Sequence, residues 1–155
     1  MATDSVGLEA AYRNAAIICG AMAASTMLYA VAVAIVSITQ APFEGFAGQM
    51  QPAGRGAFWA AAALVAGLIG IVRRTLLGRS PAGDEAAQAR RLVSTSITIA
   101  ALAEVPVILG LVLFMLSGMR GDFYILFALS LVLEAVYFPR LEGWREWATE
   151  PALGC

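Results

Sequence analysis

The chain has 155 residues, of which 60% are hydrophobic and only 14% are charged, and its formal net charge is −1. An ordinary soluble domain carries about 25% charged residues, so this composition indicates a membrane protein. The absence of histidine removes the usual ligand of haem and zinc and the usual general base. The two cysteines, Cys19 and Cys155, lack metal-type spacing, and we expect Cys19 to be an apolar packing residue. We therefore expect one membrane domain over residues 1–155, with no cofactor and no metal site.

Four apolar segments follow one another along the chain. A helix that crosses the bilayer needs about 20 apolar residues, and flanking arginines can extend the shorter second and fourth segments by snorkelling. The first segment follows Asp4 and Glu9 rather than basic residues, so we expect it to be retained and not cleaved as a signal peptide. The segments are residues 14–38, 57–72, 92–119 and 123–138, and the last two each contain one acidic residue, Glu104 and Glu134.

Two stretches early in the chain align with later ones. Residues 21–24 match residues 101–104 at an offset of 80, and the Arg-Gly-x-Phe-aromatic sequence at 55–59 matches that at 120–124 at an offset of 65. Chance similarity between two Ala-rich hairpins is the alternative explanation. The pattern predicts an all-α fold, an integral membrane four-helix bundle made of two tandemly repeated transmembrane hairpins. Hairpin one covers about 14–74, an Arg-rich loop covers 73–91, hairpin two covers about 92–140, and an interfacial tail covers 141–155.

Arginine, the only basic residue type in the chain, is unevenly divided between the two sides of the predicted bundle. Eight arginines lie near the chain ends and between spans two and three, against Arg55 and Arg120 on the other side. Because arginine favours the cytoplasmic side, we expect a multi-pass protein of the bacterial inner (plasma) membrane with both termini cytoplasmic. The loop arginines determine this topology, and binding of anionic lipid headgroups is a further role open to them. They are Arg73, Arg74, Arg79, Arg90 and Arg91.

The tail after span four carries apolar residues at every third position, namely Leu141, Trp144 and Trp147. This spacing is typical of a short amphipathic helix that lies on the membrane surface. We therefore predict that Trp144 and Trp147 anchor the tail at the inner interface.

Glu104 differs from its surroundings because it lies near the middle of the third apolar span. A charge there is costly, so we expect Glu104 to be protonated, paired or facing a polar cavity. Pro106 has no N–H, and the carbonyl of Leu102 therefore lacks its helix partner, which adds a second polar group to the same turn. Either Glu104 binds a proton or cation, or it is protonated and hydrogen-bonds a neighbouring helix or a partner subunit. The hydroxyl residues that could extend this site are Ser94, Thr95, Ser96 and Thr98.

Glu134 is a second carboxylate within an apolar span. It lies four to five residues before the predicted inner end of span four, from where a long side chain can reach the interface or an arginine. We expect a structural role for it.

Residues 90–116 contain Arg90-Arg91, then Ala101-Leu102-Ala103-Glu104, then Val107-Ile108-Leu109-Gly110-Leu111-Val112. This segment distantly resembles the carboxylate helix of rotary ATPase proteolipid ring subunits, in which an ion-carrying glutamate sits in a helix after an Arg-containing cytoplasmic loop. The resemblance implies that Glu104 is the ion-binding carboxylate and that Arg90 and Arg91 occupy the loop position. V-type members are also duplicated hairpins with one carboxylate retained, as Ala24 opposite Glu104 suggests here.

The function predicted from these features is that of a small accessory or scaffolding subunit of a membrane complex. The Ala- and Gly-rich faces of hairpin one favour close helix packing, and the chain offers no catalytic constellation, so we expect no enzymatic activity. The alternative is an oligomeric, proteolipid-like carrier of protons or cations that uses Glu104. The expected partners are the lipid bilayer and either further copies of the chain or other membrane subunits. We expect no nucleic acid partner, since the arginines lie next to the membrane.

Overall fold

The computed structural model describes residues 4–48, 50–78 and 85–149, and these residues form helices joined by short connections. The predicted all-α fold class is confirmed, since this part of the chain contains no strand. Arg79 and Cys155 lie outside the described residues, and of Trp147 only the backbone is described. The helices are α1 (Asp4–Thr39), α2 (Pro52–Leu77), α3 (Glu85–Ser117), α4 (Arg120–Tyr137) and α5 (Leu141–Thr149).

Three of these helices, α1, α2 and α3, are long and apolar enough to cross a membrane. They contain the first two predicted spans and the third as far as Ser117, and to that extent the predicted membrane class is confirmed. Helix α4 has 18 residues, a length of about 27 Å at 1.5 Å per residue, and it carries Arg120, Asp122 and Glu134. The fourth predicted span, residues 123–138, therefore stays a prediction.

Helix α3 is the centre of the structure and packs against α1, α2 and α4. A turn at Gly118 and Met119 joins α3 to α4, and these two helices form a packed hairpin. By contrast, the described residues of α1 and α2 make no extensive contact with each other, because each helix packs on α3 instead. The longer connection at residues 40–51 allows this separation. A bundle of two equivalent hairpins is therefore not confirmed.

The connection at residues 40–51 packs against the end of α3. The N–H groups of Phe46 and Ala47 donate to the carbonyls of Met115 (2.9 Å) and Leu116 (3.0 Å), and they satisfy acceptors that a helix end leaves without partners. We call this end of the molecule the turn side. The opposite end, where α1 begins and where residues 138–140 link α4 to α5, is called the terminal side.

Three clusters of buried side chains form the core along the length of the bundle. The turn-side cluster consists of Val33, Val107, Phe114 and Phe123. The middle cluster, which joins α2 to α3, consists of Ile69, Ile99 and Ala103. The terminal-side cluster, which joins α1, α3 and α5, consists of Ala15, Leu92 and Trp144.

The position of Trp144 differs from the one expected of a membrane anchor. The predicted tail helix is present as α5, but Trp144 is only 5% exposed and its indole meets the ring of Tyr12 edge to face at 5.6 Å. The hydroxyl of Tyr12 also reaches the carbonyl of Pro139 at 3.4 Å. Protein contacts thus hold α5 against α1, because the start of α1 extends far enough to receive it.

Candidate functional site

Four polar side chains meet at one level of the bundle. Ser25 and Thr26 of α1, Glu104 of α3 and Glu134 of α4 each lie about 20 Å from the turn-side end of their own helix, at 1.5 Å per residue. Since the three helices pack together, this shared depth brings the two carboxyl groups to adjacent positions. Glu104 contacts Ser25 and Glu134 contacts Thr26, two consecutive residues of α1. We call them the carboxyl pair.

Glu104 is hydrogen-bonded to Ser25 through its Oε1 atom. The Ser25 hydroxyl also donates to the carbonyl of Met22 at 2.7 Å. A hydroxyl has one hydrogen, and a backbone carbonyl can only accept. The Ser25 hydroxyl therefore lies between two acceptors, one on its own helix and one on α3.

Glu134 makes the equivalent contact with the next residue of α1. The buried hydroxyl of Thr26 donates to its Oε1 atom at 2.6 Å, whereas the carbonyl of Met22 lies 3.5 Å from that hydroxyl, too far for a strong bond. The second oxygen, Oε2, is buried and has no hydrogen-bond partner among the described residues. A buried polar atom of this kind is normally satisfied by a protein group or an ordered water.

Pro106 removes one backbone hydrogen bond from α3 close to the carboxyl pair. The proline is fully buried, and its ring cannot donate to the carbonyl of Leu102. The N–H of the next residue, Val107, donates to the side-chain hydroxyl of Ser130 on α4 at 2.9 Å. This bond satisfies a backbone group near the proline and fixes α4 against α3 one turn from Glu134. Leu102 itself packs beside the middle cluster.

Two cavities lie on the terminal side of the carboxyl pair. The larger one, which we call the vestibule, has a volume of about 570 Å³. It is lined by residues of α2, α3, α4 and α5, among them Arg73, Thr95, Ser96, Tyr137, Arg140 and Glu142. The smaller one, which we call the carboxyl cavity, has a volume of about 10 Å³. Its lining includes Cys19, Ile99, Ala100, Ala103, Glu134 and Tyr137.

Of the four hydroxyl residues predicted to extend the site, two line a separate cleft and two line the vestibule. Ser94 and Thr98 line a separate cleft of about 460 Å³ beside Arg90, and Thr98 donates to the carbonyl of Ser94 at 2.9 Å. Thr95 and Ser96 line the vestibule. The residues bonded to the carboxyl pair, Ser25 and Thr26, were not among those predicted. The sequence signal for them is that they are the only serine and threonine between Asn14 and Ser37.

The predicted loop arginines lie around the terminal side. Arg73 places its guanidinium over the ring of Tyr137, 5.7 Å from the centroid. The Nε of Arg90 donates to the carbonyl of Ala86 at 3.2 Å. Arg74 is exposed and Arg91 is half-buried. Contact of these groups with lipid headgroups stays a prediction.

An ion pair at the turn side was not predicted from the sequence. Arg55 of α2 donates through Nη2 to Oδ1 of Asp122 on α4 at 2.7 Å, and its Nε lies 2.7 Å from Oδ2. Oδ2 is buried without a hydrogen-bond partner among the described residues, so one charge-assisted hydrogen bond joins the pair. Arg120 donates to the carbonyl of Ser37 at 3.0 Å. Both turn-side arginines thus hold helix ends together, in addition to any effect on topology.

The chain matches no protein-family model, no curated protein and no solved structure. The resemblance of residues 90–116 to proteolipid ring subunits therefore stays a prediction.

Proposed function

We propose that this chain is a four-span membrane protein that binds a proton at the carboxyl pair, in line with the ion-carrier alternative. One observation carries the proposal: two carboxyl groups from different helices meet at one depth and contact consecutive hydroxyls of a third helix. Helix α4, about 27 Å long, is close to the thickness of the bilayer hydrocarbon core, about 30 Å. With α4 as the fourth span, the pair lies inside the membrane.

A proton fits this site better than a metal ion does. Calcium takes six to eight oxygen ligands, whereas the described ranges contain no group of three or more His, Cys, Asp and Glu side chains suited to a metal. An acidic charge near the middle of a span costs about 3 kcal/mol on insertion scales. Two adjacent carboxylates also repel each other. Both effects favour at least one bound proton.

Carbodiimide labelling of the protein in native membranes tests the proposal, because the reagent modifies protonated carboxyl groups in apolar surroundings. We expect labelling of Glu104 or Glu134 that falls as the pH is raised. The double variant Glu104→Gln/Glu134→Gln should lose it, and Glu44→Gln, at an exposed position of the 40–51 connection, should keep it. Labelling that persists in the double variant, or that shows no dependence on pH, would contradict the proposal.

A second candidate function is that of an accessory or scaffolding subunit. One face of α2 exposes small residues, including Ala60, Ala63 and Gly67, and a Cβ atom added at Gly67 would meet nothing within 4 Å. In lipid, faces of this kind allow close association between helices. The face is therefore suited to another membrane subunit or to a second copy of the chain.

The native mass in mild detergent tests this second candidate. We expect the wild type to migrate above the 16.2 kDa of a single chain, and Gly67→Leu to reduce it to the monomer by widening the helix contact. Ile125→Phe, at an exposed position of α4, should leave the mass unchanged. A monomeric wild type that copurifies with no other membrane protein would exclude this candidate.

The distribution of arginine supports a proposed orientation. The terminal side carries most of the arginines, so we propose that it faces the cytoplasm of a bacterial cell. Protease access to tags placed at the two chain ends, measured in intact and in opened cells, would test this orientation.

A further inference from the structure

We infer that the carboxyl pair exchanges protons with one side of the membrane only, the terminal side, through the carboxyl cavity and the vestibule. This inference rests on the proposed proton-binding function and adds the direction of access to it.

The two cavities are neighbours on the terminal side of Glu134. The vestibule and the carboxyl cavity share part of their lining, namely Ile99, Tyr137, Phe138 and Pro139. Glu134 lines the carboxyl cavity, and its Oε2 atom has no partner among the described residues. A volume of about 10 Å³ is the smallest that holds one water molecule. A single water there would lie between Glu134 and the vestibule.

The other direction is closed by apolar packing. Between the carboxyl pair and the turn side lies the turn-side cluster, whose four members Val33, Val107, Phe114 and Phe123 are each 0% exposed. Proton transfer along water requires polar groups that hold the water in place, and these four apolar side chains supply none. The docked 40–51 connection and the ion pair between Arg55 and Asp122 close the end beyond this cluster.

Groups of both charge signs surround the route. The walls of the vestibule are therefore polar, and their positive and negative charges offset each other. No strong positive potential repels protons from it. The second carboxyl group, Glu104, contacts Ser25, the residue before the Thr26 that contacts Glu134. The titratable and charged groups on the elements around the route are Cys19 (α1), Arg73 (α2), Glu104 (α3), Tyr137 (α4), Arg140 before α5, and Glu142 and Glu146 of α5.

Vesicles with a known orientation of the intact protein test the direction of access. A cleavable tag after α5 reports which molecules have the terminal side outward. In these molecules we expect the extent of carbodiimide labelling of Glu104 or Glu134 to fall as the external pH is raised. A change in the internal pH should leave it unaltered. Labelling that follows the internal pH, or both pH values equally, would overturn the inference and leave the proposed proton site intact. Labelling that depends on neither would overturn both.

A cavity-filling variant tests the route itself. Ala100 lines the carboxyl cavity, and Ala100→Val places two methyl groups in a space that holds one water. We expect the carbonyl-stretch infrared band of the protonated carboxyl pair to respond several-fold more slowly after a jump in external pH, with its final amplitude unchanged. Ala101→Val is the control, since Ala101 is exposed on the same helix and should respond like the wild type. Equal response times in the two variants, with both proteins folded, would overturn the route.

Discussion

At the scale of single residues, the site depends on a few hydroxyl groups within otherwise apolar helices. Ser25, Thr26 and Ser130 each contact a group that the neighbouring helix cannot satisfy by itself. Hydrogen bonds between helices in a membrane are worth only about 0.6 kcal/mol on average. Their main effect here is therefore to place the carboxyl groups, and packing supplies most of the stability.

The bond between Ser130 and Val107 should be measurable in stability. Ser130→Ala leaves the buried Val107 N–H without its partner near Pro106, and we expect a loss of about 1 kcal/mol in the free energy of unfolding. Thr98→Ala is the matched control, because Thr98 bonds only within its own helix and is exposed. Unfolding in mixed micelles with increasing denaturing detergent measures both, and equal stabilities would contradict the assigned role of Ser130.

At the scale of helices and turns, the hairpin of α3 and α4 is the best-defined element. Its turn places Gly118 at φ +70°, and a Cβ atom there would lie 2.5 Å from the carbonyl oxygen of Phe43. Gly45 has φ +81°, and its Cβ would lie 2.4 Å from the carbonyl oxygen of Leu116. These two glycines allow the 40–51 connection and the turn to touch, and both positions require the absence of a side chain.

A substitution in the turn tests this close approach. Gly118→Ala forces an L-residue into left-handed backbone, at about 1–2 kcal/mol, and pushes the connection away from α3. We expect lower unfolding stability and faster proteolysis within residues 40–51. Gly121→Ala, at the start of α4 where an added Cβ meets nothing within 4 Å, should be neutral. Similar stability of the two variants would show that the connection does not depend on this contact.

The elements were largely predictable from the sequence, because long apolar segments have few alternatives to helices. Glu104 was predictable for the same reason, since a carboxylate within such a segment is conspicuous. Its partner was not, because helix faces that meet in lipid are all apolar and periodicity does not show which face meets which. The pairing of Glu104 with Glu134, and of Arg55 with Asp122, follows only from the arrangement of α1 and α2 around α3 and α4.

At the scale of the whole molecule, the structure is asymmetric along the membrane normal. The turn side combines a tightly packed aromatic cluster with ion-paired helix ends. The terminal side contains the vestibule, and α5 forms part of its wall. Trp144 therefore holds α5 in place as part of the protein core, which differs from the anchoring role predicted from its spacing. The carboxyl pair lies between the tightly packed turn side and the terminal side that contains the vestibule.

The central claim is that the carboxyl pair carries a proton in the membrane. Infrared difference spectroscopy of the protein in lipid bilayers measures this most directly, through the carbonyl-stretch band of a protonated carboxylic acid. We expect a band in the wild type that titrates with pH and shifts in deuterated water, and that disappears in Glu104→Gln/Glu134→Gln but persists in Glu44→Gln. A wild-type spectrum identical to that of the double variant over the whole pH range would contradict the claim.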